Sequence, residues 1–576
     1  MGYVTSKPGS DIYGNLLLLE NASIFCSFQY SFWPETPGPE ENMATVTYHF
    51  PGGLYPSQYN PPLSGVSVNP TFGELVDMSE SSRSTTTSTD VLYRLDNGLK
   101  LKLVGTGFSF SPSGDAVGGT ITSIEVLLNN GTTLVQTLSG LSLSLEYFQN
   151  AAAAFDNNEF EEWLLNRADT INGSAGHDVL SGHQGNDFLN GNGGDDLISG
   201  GEGGDTYDGG LDFDTLSFQD AYDTPSATRG ISLNSTNGMV IDQFGLSETF
   251  QNFEEFRGTQ FADRMVGSSA DETFMGLGGR DRIDGRDGVD TVRYDRDFQQ
   301  GATKGVSVNL TSGVAIDGFG SQDTLTAIEN IRGTGFKDNI TGNSDSNFLR
   351  GFAGADTLNG GAAADIMRGG LGDDTYYVEN GGDIVDENSD SGAGLDTVRS
   401  SISFSIANTT AVKGNVENLV LLGTGAIDGT GNTLNNLLAG SSAANTLDGG
   451  AGDDLLSAGL GNDTLIGSTG LDTFFFSTAL NASSNVDAIV DFVVVDDTIR
   501  LENGVFTAVV GTGVLTAAQF VSNTTGLAED ADDRIIYQSD TGNLFYDSDG
   551  NGAGGSVLFA TLSANIAITA GDFVIT

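Results

Sequence analysis

The chain has 576 residues, and 77 acidic against 23 basic side chains give it a formal net charge of −54. That balance excludes nucleic acid as the default partner, because phosphate binding needs a basic face. The single cysteine, Cys26, excludes an intramolecular disulfide, and the length calls for more than one core.

Acidity of this degree ordinarily marks a solvated, disordered chain. Here 38% of residues are hydrophobic, and Ile, Leu, Val and Phe recur at fixed spacing. The sequence therefore reads as an acidic chain that orders once cations neutralise it, with bound metal in place of disulfides.

Residues 1–142 read as a small N-terminal β domain. Proline and aromatics cluster between 32 and 70 (WPETPGPE, HFPGGLYPSQYNPP). From 91 to 145 short alternating apolar segments follow, and Asn97-Gly98 and Asn130-Gly131 mark hairpin turns. The apolar run 16–19 lies between Asp11 and Glu20 and does not read as a secretory signal. No run approaches the roughly 18 apolar residues of a membrane span. Taken alone, these two features suggest a cytoplasmic protein. Residues 143–167 (LSLEYFQNAAAAFDNNEFEEWLLN) have helical spacing with a break near 156–158, and are expected to cap an open stack.

The stretch 168–476 is built of nonapeptides. Residues 173–217 read GSAGHDVLS, GHQGNDFLN, GNGGDDLIS, GGEGGDTYD and GGLDFDTLS. Position six is always Asp, position eight is apolar or Tyr, and glycine dominates positions one and four. Further blocks lie at 258–293, 333–377 and 431–475. The linkers repeat as well, since 230–258 matches 305–333 at a constant offset of 75 residues. Two units make a coil of turn, strand, turn, strand, with position eight pointing into a thin apolar core. Position six of one unit then lies roughly 4.8 Å from position six two units on. Calcium, with oxygen ligands at about 2.3–2.6 Å, can bridge such a pair, whereas magnesium demands tighter octahedral geometry.

This arrangement makes Asp178, Asp196 and Asp214 one ladder and Asp187 and Asp205 the opposite one. It pairs Asp263 with Asp281 and Glu272 with Asp290. It also aligns Asp338, Asp356 and Asp374, and pairs Asp454 with Asp472. Asp365 and Asp463 face asparagines (Asn347 and Asn445), as Asp454 faces Asn436, and weaker sites are expected there. Because the sites exist only in the stack, binding several Ca2+ ions is coupled to folding.

Residues 477–576 return to short β segments. Asp547, Asp549 and Asn551 resemble half of an EF-hand loop, but its twelfth position is Leu558 rather than Glu. An acidic hairpin turn is the expected reading.

The units resemble the hemolysin-type calcium-binding repeats of RTX proteins. The tail from Asp532, with DRIIYQSDTGNLFYDSDGNGAG and the closing DFVIT, is similar to the C-termini of RTX proteins exported by bacterial type I secretion. The segment 91–145 is similar to a β region preceding the repeats in some of them. The resemblance implies an all-β fold, a calcium-bound parallel β-roll or β-helix solenoid with a C-terminal secretion region. It also implies an uncleaved C-terminal signal that engages the type I secretion apparatus, passage unfolded through low calcium, and folding outside the cell. An extracellular or cell-surface location replaces the cytoplasmic reading.

Enzymatic motifs do not surface. His49, His177 and His183 are the only histidines, and none belongs to an HExxH. A GxSxG pentapeptide is absent. Glu40, Glu41, Glu74 and Asp77 could do acid–base work, but in so acidic a chain they read as solvated surface. Asp242 and Asp317 in the duplicated linkers read as architecture. The expected function is a secreted, non-enzymatic calcium-binding protein in adhesion, matrix or surface association, with cell-surface glycans or polysaccharide as candidate partners. The alternative is a secreted polysaccharide-active enzyme, with its site in the N-terminal domain or the wider coils.

Overall fold

The computed structural model describes residues 44–49, 82–95, 99–128, 130–154, 157–219, 226–388, 394–407, 410–551 and 555–576. Cys26, Glu40, Glu41, Glu74, Asp77, the Asn97-Gly98 turn and most of the proline-rich stretch lie outside them. The chain divides into two compact units, Met1–Glu41 and Asn42–Thr576, and only the second contains described residues.

Five strands, Ser82–Thr86, Asp90–Arg94, Lys100–Phe110, Ala116–Leu127 and Leu134–Ser144, pair antiparallel in chain order. Alternation puts Leu101, Leu103, Ile121 and Ile124 into the core, all fully buried. Gly131 takes φ +73° at the last hairpin turn, as Asn-Gly turns require. Thr45–Tyr48 joins this meander to the nonapeptide stack. It pairs antiparallel with Leu134–Ser144 and parallel with Thr170–Asn172. The first strand of the repeats therefore has no open edge on that side, which removes a site for edge-to-edge association. Two helices, α1 (Leu145–Ala154) and α2 (Asn157–Leu164), intervene. The first buries Leu145 and Phe148, and Gln184 of the first coil donates to Glu162 of the second at 3.4 Å.

From Thr170 onward the chain winds as a parallel β-roll. Three-residue strands pair with the strand 18 residues on: Val179–Ser181 with Leu197–Ser199, Phe188–Asn190 with Thr206–Asp208, Asn339–Thr341 with Thr357–Asn359. One face is an 11-stranded sheet from Val179–Ser181 to Val412–Lys413. Position-eight side chains fill the interior, and Leu180, Leu189, Ile198 and Leu216 have no exposed surface. Each contributes roughly 1.5–3 kcal/mol by burial, which in so thin a core is a large share of what holds a coil.

The duplicated linkers are not simply wider coils. Each adds an antiparallel meander to one face and a single strand to the other. Ser247–Gln251 pairs parallel with Thr206–Asp208 below it, then antiparallel with Met239–Ile241, which pairs antiparallel with Ser232–Asn234. Ser232–Asn234 in turn carries Arg264–Val266 in parallel. The opposite face receives only Glu255–Arg257. Ser307–Asn309, Val314–Ile316 and Gln322–Thr326 repeat the arrangement. Left-handed glycines turn the corners at matching places, Gly238 and Gly313 with φ of 62° and 66°, and Gly245 and Gly320 with φ of 92° and 94°.

At the far end Thr498–Leu501 continues the stack, and the terminal strand Phe573–Ile575 pairs with it in parallel. Asn543–Tyr546 and Val557–Thr561 are antiparallel. The EF-hand-like Asp547–Leu558 segment thus connects a hairpin, with Asp549 N–H donating to Asp547 Oδ1 at 3.1 Å. Among the described residues no helix is long and apolar enough to cross a membrane.

Candidate metal centres

The position-six carboxylates form the ladders that the 18-residue spacing implies, and each rung is tied by a backbone bond. Asp178 N–H donates to Asp196 Oδ1 (2.7 Å), Asp196 to Asp214 (2.9 Å), and Asp187 to Asp205 (2.7 Å). The same bond joins Asp263 to Asp281, Glu272 to Asp290, Asp338 to Asp356, Asp356 to Asp374, and Asp454 to Asp472. Asn347, Asn436 and Asn445 donate likewise to Asp365, Asp454 and Asp463.

The ladders do not stop where the nonapeptides stop. Asp169 N–H donates to Asp187, and Asp169 accepts from Ala44. Asp214 donates to Glu254, Asp281 to Asp323, Asp290 to Glu329, Asp365 to Asp383, Asp374 to Asp396, Asp396 to Glu417, Asp463 to Asp487, and Asp472 to Asp497. Reading by spacing missed most of these acids because as many as 42 residues separate the partners. A local signal does mark them. Each lies two residues before a buried apolar side chain of a strand, as in Glu329-Asn330-Ile331 and Asp497-Thr498-Ile499.

Position two divides the rungs into two kinds. Where its φ is not left-handed, as at seven Ser, Thr and Asn residues, its N–H closes onto a side-chain oxygen of its own unit's position-six residue. Ser174 does so to Asp178 (2.5 Å), Thr259 to Asp263 (2.7 Å), Ser268 to Glu272 (2.6 Å) and Thr334 to Asp338 (2.6 Å). Asn343, Asn432 and Ser441 close in the same way onto Asn347, Asn436 and Asn445. In the remaining units position two is left-handed: Gly201, Gly210, Gly361, Gly370, Gly450 and Gly459, but also His183, Asn192, Leu277, Arg286, Phe352 and Ser468. The N–H then turns away. In ten such units the buried Oδ2 has no partner: Asp187, Asp196, Asp214, Asp281, Asp290, Asp356, Asp365, Asp374, Asp454 and Asp463. Asp205 Oδ2 instead accepts from the Tyr207 hydroxyl at 3.3 Å.

Position one explains its glycine by contact rather than by conformation. A Cβ on Gly173 would lie 2.5 Å from Gly191 O and 2.8 Å from Asp178 Oδ2, and one on Gly182 would lie 2.5 Å from Gly200 O and 2.6 Å from Asp187 Oδ2. A carbonyl and a carboxylate oxygen thus converge on a space that only glycine leaves open. Buried carboxylate and carbonyl oxygens without donors suit a hard cation that accepts six to eight oxygens in irregular geometry.

The electrostatics point the same way. Burial, with Asp178 and Asp214 alongside, pushes Asp196 up to about 9. Burial and the neighbouring Asp205 and Asp169 push Asp187 up to about 8. Asp281, buried against Asp263 and Asp323, rises to about 10. Asp365, which has Asn347 rather than Asp on one side, rises only to about 6. A tenfold weaker acid means about 1.4 kcal/mol against the ionised form, so these groups require a proton or a cation. At the end of the third block Asp374, Asp396 and Glu387 bring oxygens within 4.8 Å of one another, all buried.

His177 and His183 take no part. His177 Nδ1 accepts from Asp195 N–H at 2.8 Å in the outer turn, and His183 lies 4.0 Å from Glu161 of α2.

The family model described as RTX calcium-binding nonapeptide repeat (4 copies) matches residues 165–198, 183–216, 258–297, 332–367, 350–385 and 430–475. No curated protein matches the chain. The chain carries RTX calcium-binding nonapeptide repeats in these segments, and the repeats bind several Ca2+ ions.

Proposed function

We propose that this is a secreted calcium-binding protein that folds on calcium outside the cell and serves adhesion or matrix association by binding acidic polysaccharide. Calcium is assigned to the units with left-handed position two, at Asp187, Asp196, Asp205, Asp214, Asp281, Asp290, Asp356, Asp365, Asp374, Asp454, Asp463 and Asp472. Asp178, Asp263, Glu272 and Asp338, already closed by their own turns, act as entry rungs of the first three blocks. Export through a type I apparatus, with the signal in residues 477–576, fits a chain whose roll cannot form without calcium.

One observation carries the polysaccharide reading. A chain with 23 basic residues in all stacks four arginines on consecutive strands, with Arg293 opposite Arg332, Arg332 opposite Arg350, and Arg350 opposite Arg368. Asp295 holds Arg293 and Arg332 at one end, and Asp386 holds Arg368 at the other (2.8 Å). Between them Arg350 lies 4.0 Å over the Phe352 ring, and Arg368 lies 5.3 Å over Phe348. Arg332 and Arg368 remain 35% and 25% exposed. Guanidinium forks at one-strand spacing, flattened on aromatic rings, suit successive carboxylates or sulfates of a polymer. Calcium along the ladders lowers the long-range repulsion that a chain of −54 would otherwise exert on a polyanion.

The test is retention of the full chain on immobilised heparin, polygalacturonate and dextran in calcium. Retention on the acidic polymers but not on dextran is expected, weakened at least tenfold in Arg350→Gln/Arg368→Gln. Retention unchanged in that variant, or none at all, contradicts the reading. Release of reducing ends from either acidic polymer points to the enzyme instead.

A further inference from the structure

The arginine column from Arg293 to Arg368 occupies one face of the roll only. On the opposite sheet Arg264 lies in direct register with Arg282 of the neighbouring parallel strand. Both are exposed, and so is Arg280, two residues earlier on the turn. On the parallel strands of that sheet from Thr170–Asn172 to Thr498–Leu501, the residue at the same place is otherwise Thr, Ser, Asn, Phe or Leu. Threonine suits an outward strand position by itself, so two arginines on adjacent strands are a departure that the fold does not require. The pair is also kept clear of acids. The chain has 77 of them, yet among the described residues no carboxylate forms an ion pair with Arg264, Arg280 or Arg282. Asp284, at the end of the Arg282 strand, faces Arg286 at 3.9 Å instead. The flanking strands present Ser232 on one side and the exposed Thr324 and Thr326 on the other. The guanidinium groups therefore stand among hydroxyls.

Arg282 and Arg293 belong to the two successive nonapeptides of one coil, 276–284 and 285–293, and their strands lie in different sheets. They stand back to back across a core about 10 Å thick. The column on the far face runs on from Arg293, and the pair on this face runs back from Arg282 to Arg264. We propose that the roll is bivalent: Arg264, Arg280 and Arg282 hold a second strand of acidic polysaccharide on the sheet opposite the arginine column, so that one molecule bridges two polymer chains. Guanidinium forks one strand apart bind carboxylate or sulfate in pairs, and the threonine and serine hydroxyls beside them suit sugar hydroxyls. The inference rests on the polysaccharide reading of the column and adds a second surface to it. Neither site has to be strong alone, because two sites on one rigid body raise retention on a dense matrix by roughly 10²–10⁴.

Calorimetric titration of a short heparin oligosaccharide into the full chain in saturating calcium tests it. Wild type should bind two equivalents, and Arg264→Gln/Arg282→Gln should bind one, with equal β content by circular dichroism. With long heparin, light scattering of the wild type should rise to a maximum and fall again in excess polymer, as each face fills separately. The variant should stay on immobilised heparin through the intact column but show no such maximum. One equivalent bound by wild type, or two retained by the folded variant, overturns the second surface and leaves the column standing. No heparin bound by wild type overturns the polysaccharide reading and this inference with it. If Arg264→Gln/Arg282→Gln loses β content, Arg280→Gln/Arg282→Gln decides by the same stoichiometry.

Discussion

Removing calcium at pH 7.5 is expected to convert the region 168–501 from β-roll to an expanded, largely disordered chain, read as loss of the β signal in far-ultraviolet circular dichroism and a large increase in hydrodynamic radius. The carboxylates in the interior are too many and too close to be ionised together without a counter-ion. Asp187, Asp196 and Asp281 sit at about 8, 9 and 10 in the metal-free roll, raised by burial and by one another's neighbours. Their folded values lie above the unfolded value near 3.8, so the metal-free roll binds more protons than the unfolded chain. Its stabilisation by protons is complete below about pH 4 and is lost as pH rises through roughly 6 to 10, the range these carboxylates span. Acid should therefore partly replace calcium: the chelated protein is expected to be more compact at pH 4.5 than at pH 7.5. Calcium at neutral pH should in turn displace protons, measurable by calorimetry in buffers of different ionisation heat. A chelated protein equally ordered at both pH values contradicts the electrostatic account.

The second large effect concerns one methyl group. Gly191→Ala places a Cβ against Asp196 Oδ2 and Gly209 O, both far inside contact distance. Backbone and ladder must both move, a cost of about 3 kcal/mol, the upper end for overpacking. The displaced oxygens are also those assigned to the ion, so the calcium midpoint for folding should rise several-fold. Gly335→Ala is the matched control. It lies in a nonapeptide turn, has no left-handed φ, and nothing lies within 4 Å of the added carbon. It should fold at the calcium concentration of wild type. Equal midpoints for the two variants would show that position-one glycine serves flexibility rather than the site.

The repeats made much of this molecule legible. A position six held by Asp, Glu or Asn and an apolar position eight set the 18-residue register, and the observed rungs follow it from Asp178 to Asp472. The same period hid the segments that interrupt it. Glu254, Asp323, Asp396 and Asp487 occupy the ladder in space while lying 40, 42, 22 and 24 residues from their partners, because the ladder is fixed by strand pairing and not by chain length. The meanders were visible as a duplication, but strands of three residues carry too little alternation to reveal antiparallel pairing. Position two looked variable, since His183, Leu277 and Phe352 share no chemistry. Their common property is a positive φ, which depends on the coil stacked beneath. Asp242 and Asp317 read as architecture because nothing in sequence shows which acids end up dry.

The distinction drawn by position two is the centre of the account, and anomalous diffraction from crystals grown in calcium tests it most directly. Calcium peaks are expected beside the open carboxylates, with Asp196, Asp281, Asp356 and Asp463 as the clearest, and none on the second oxygen of Asp338 or Asp263, where Thr334 and Thr259 N–H already sit. Peaks on those closed oxygens with none beside Asp356 and Asp196 would contradict it.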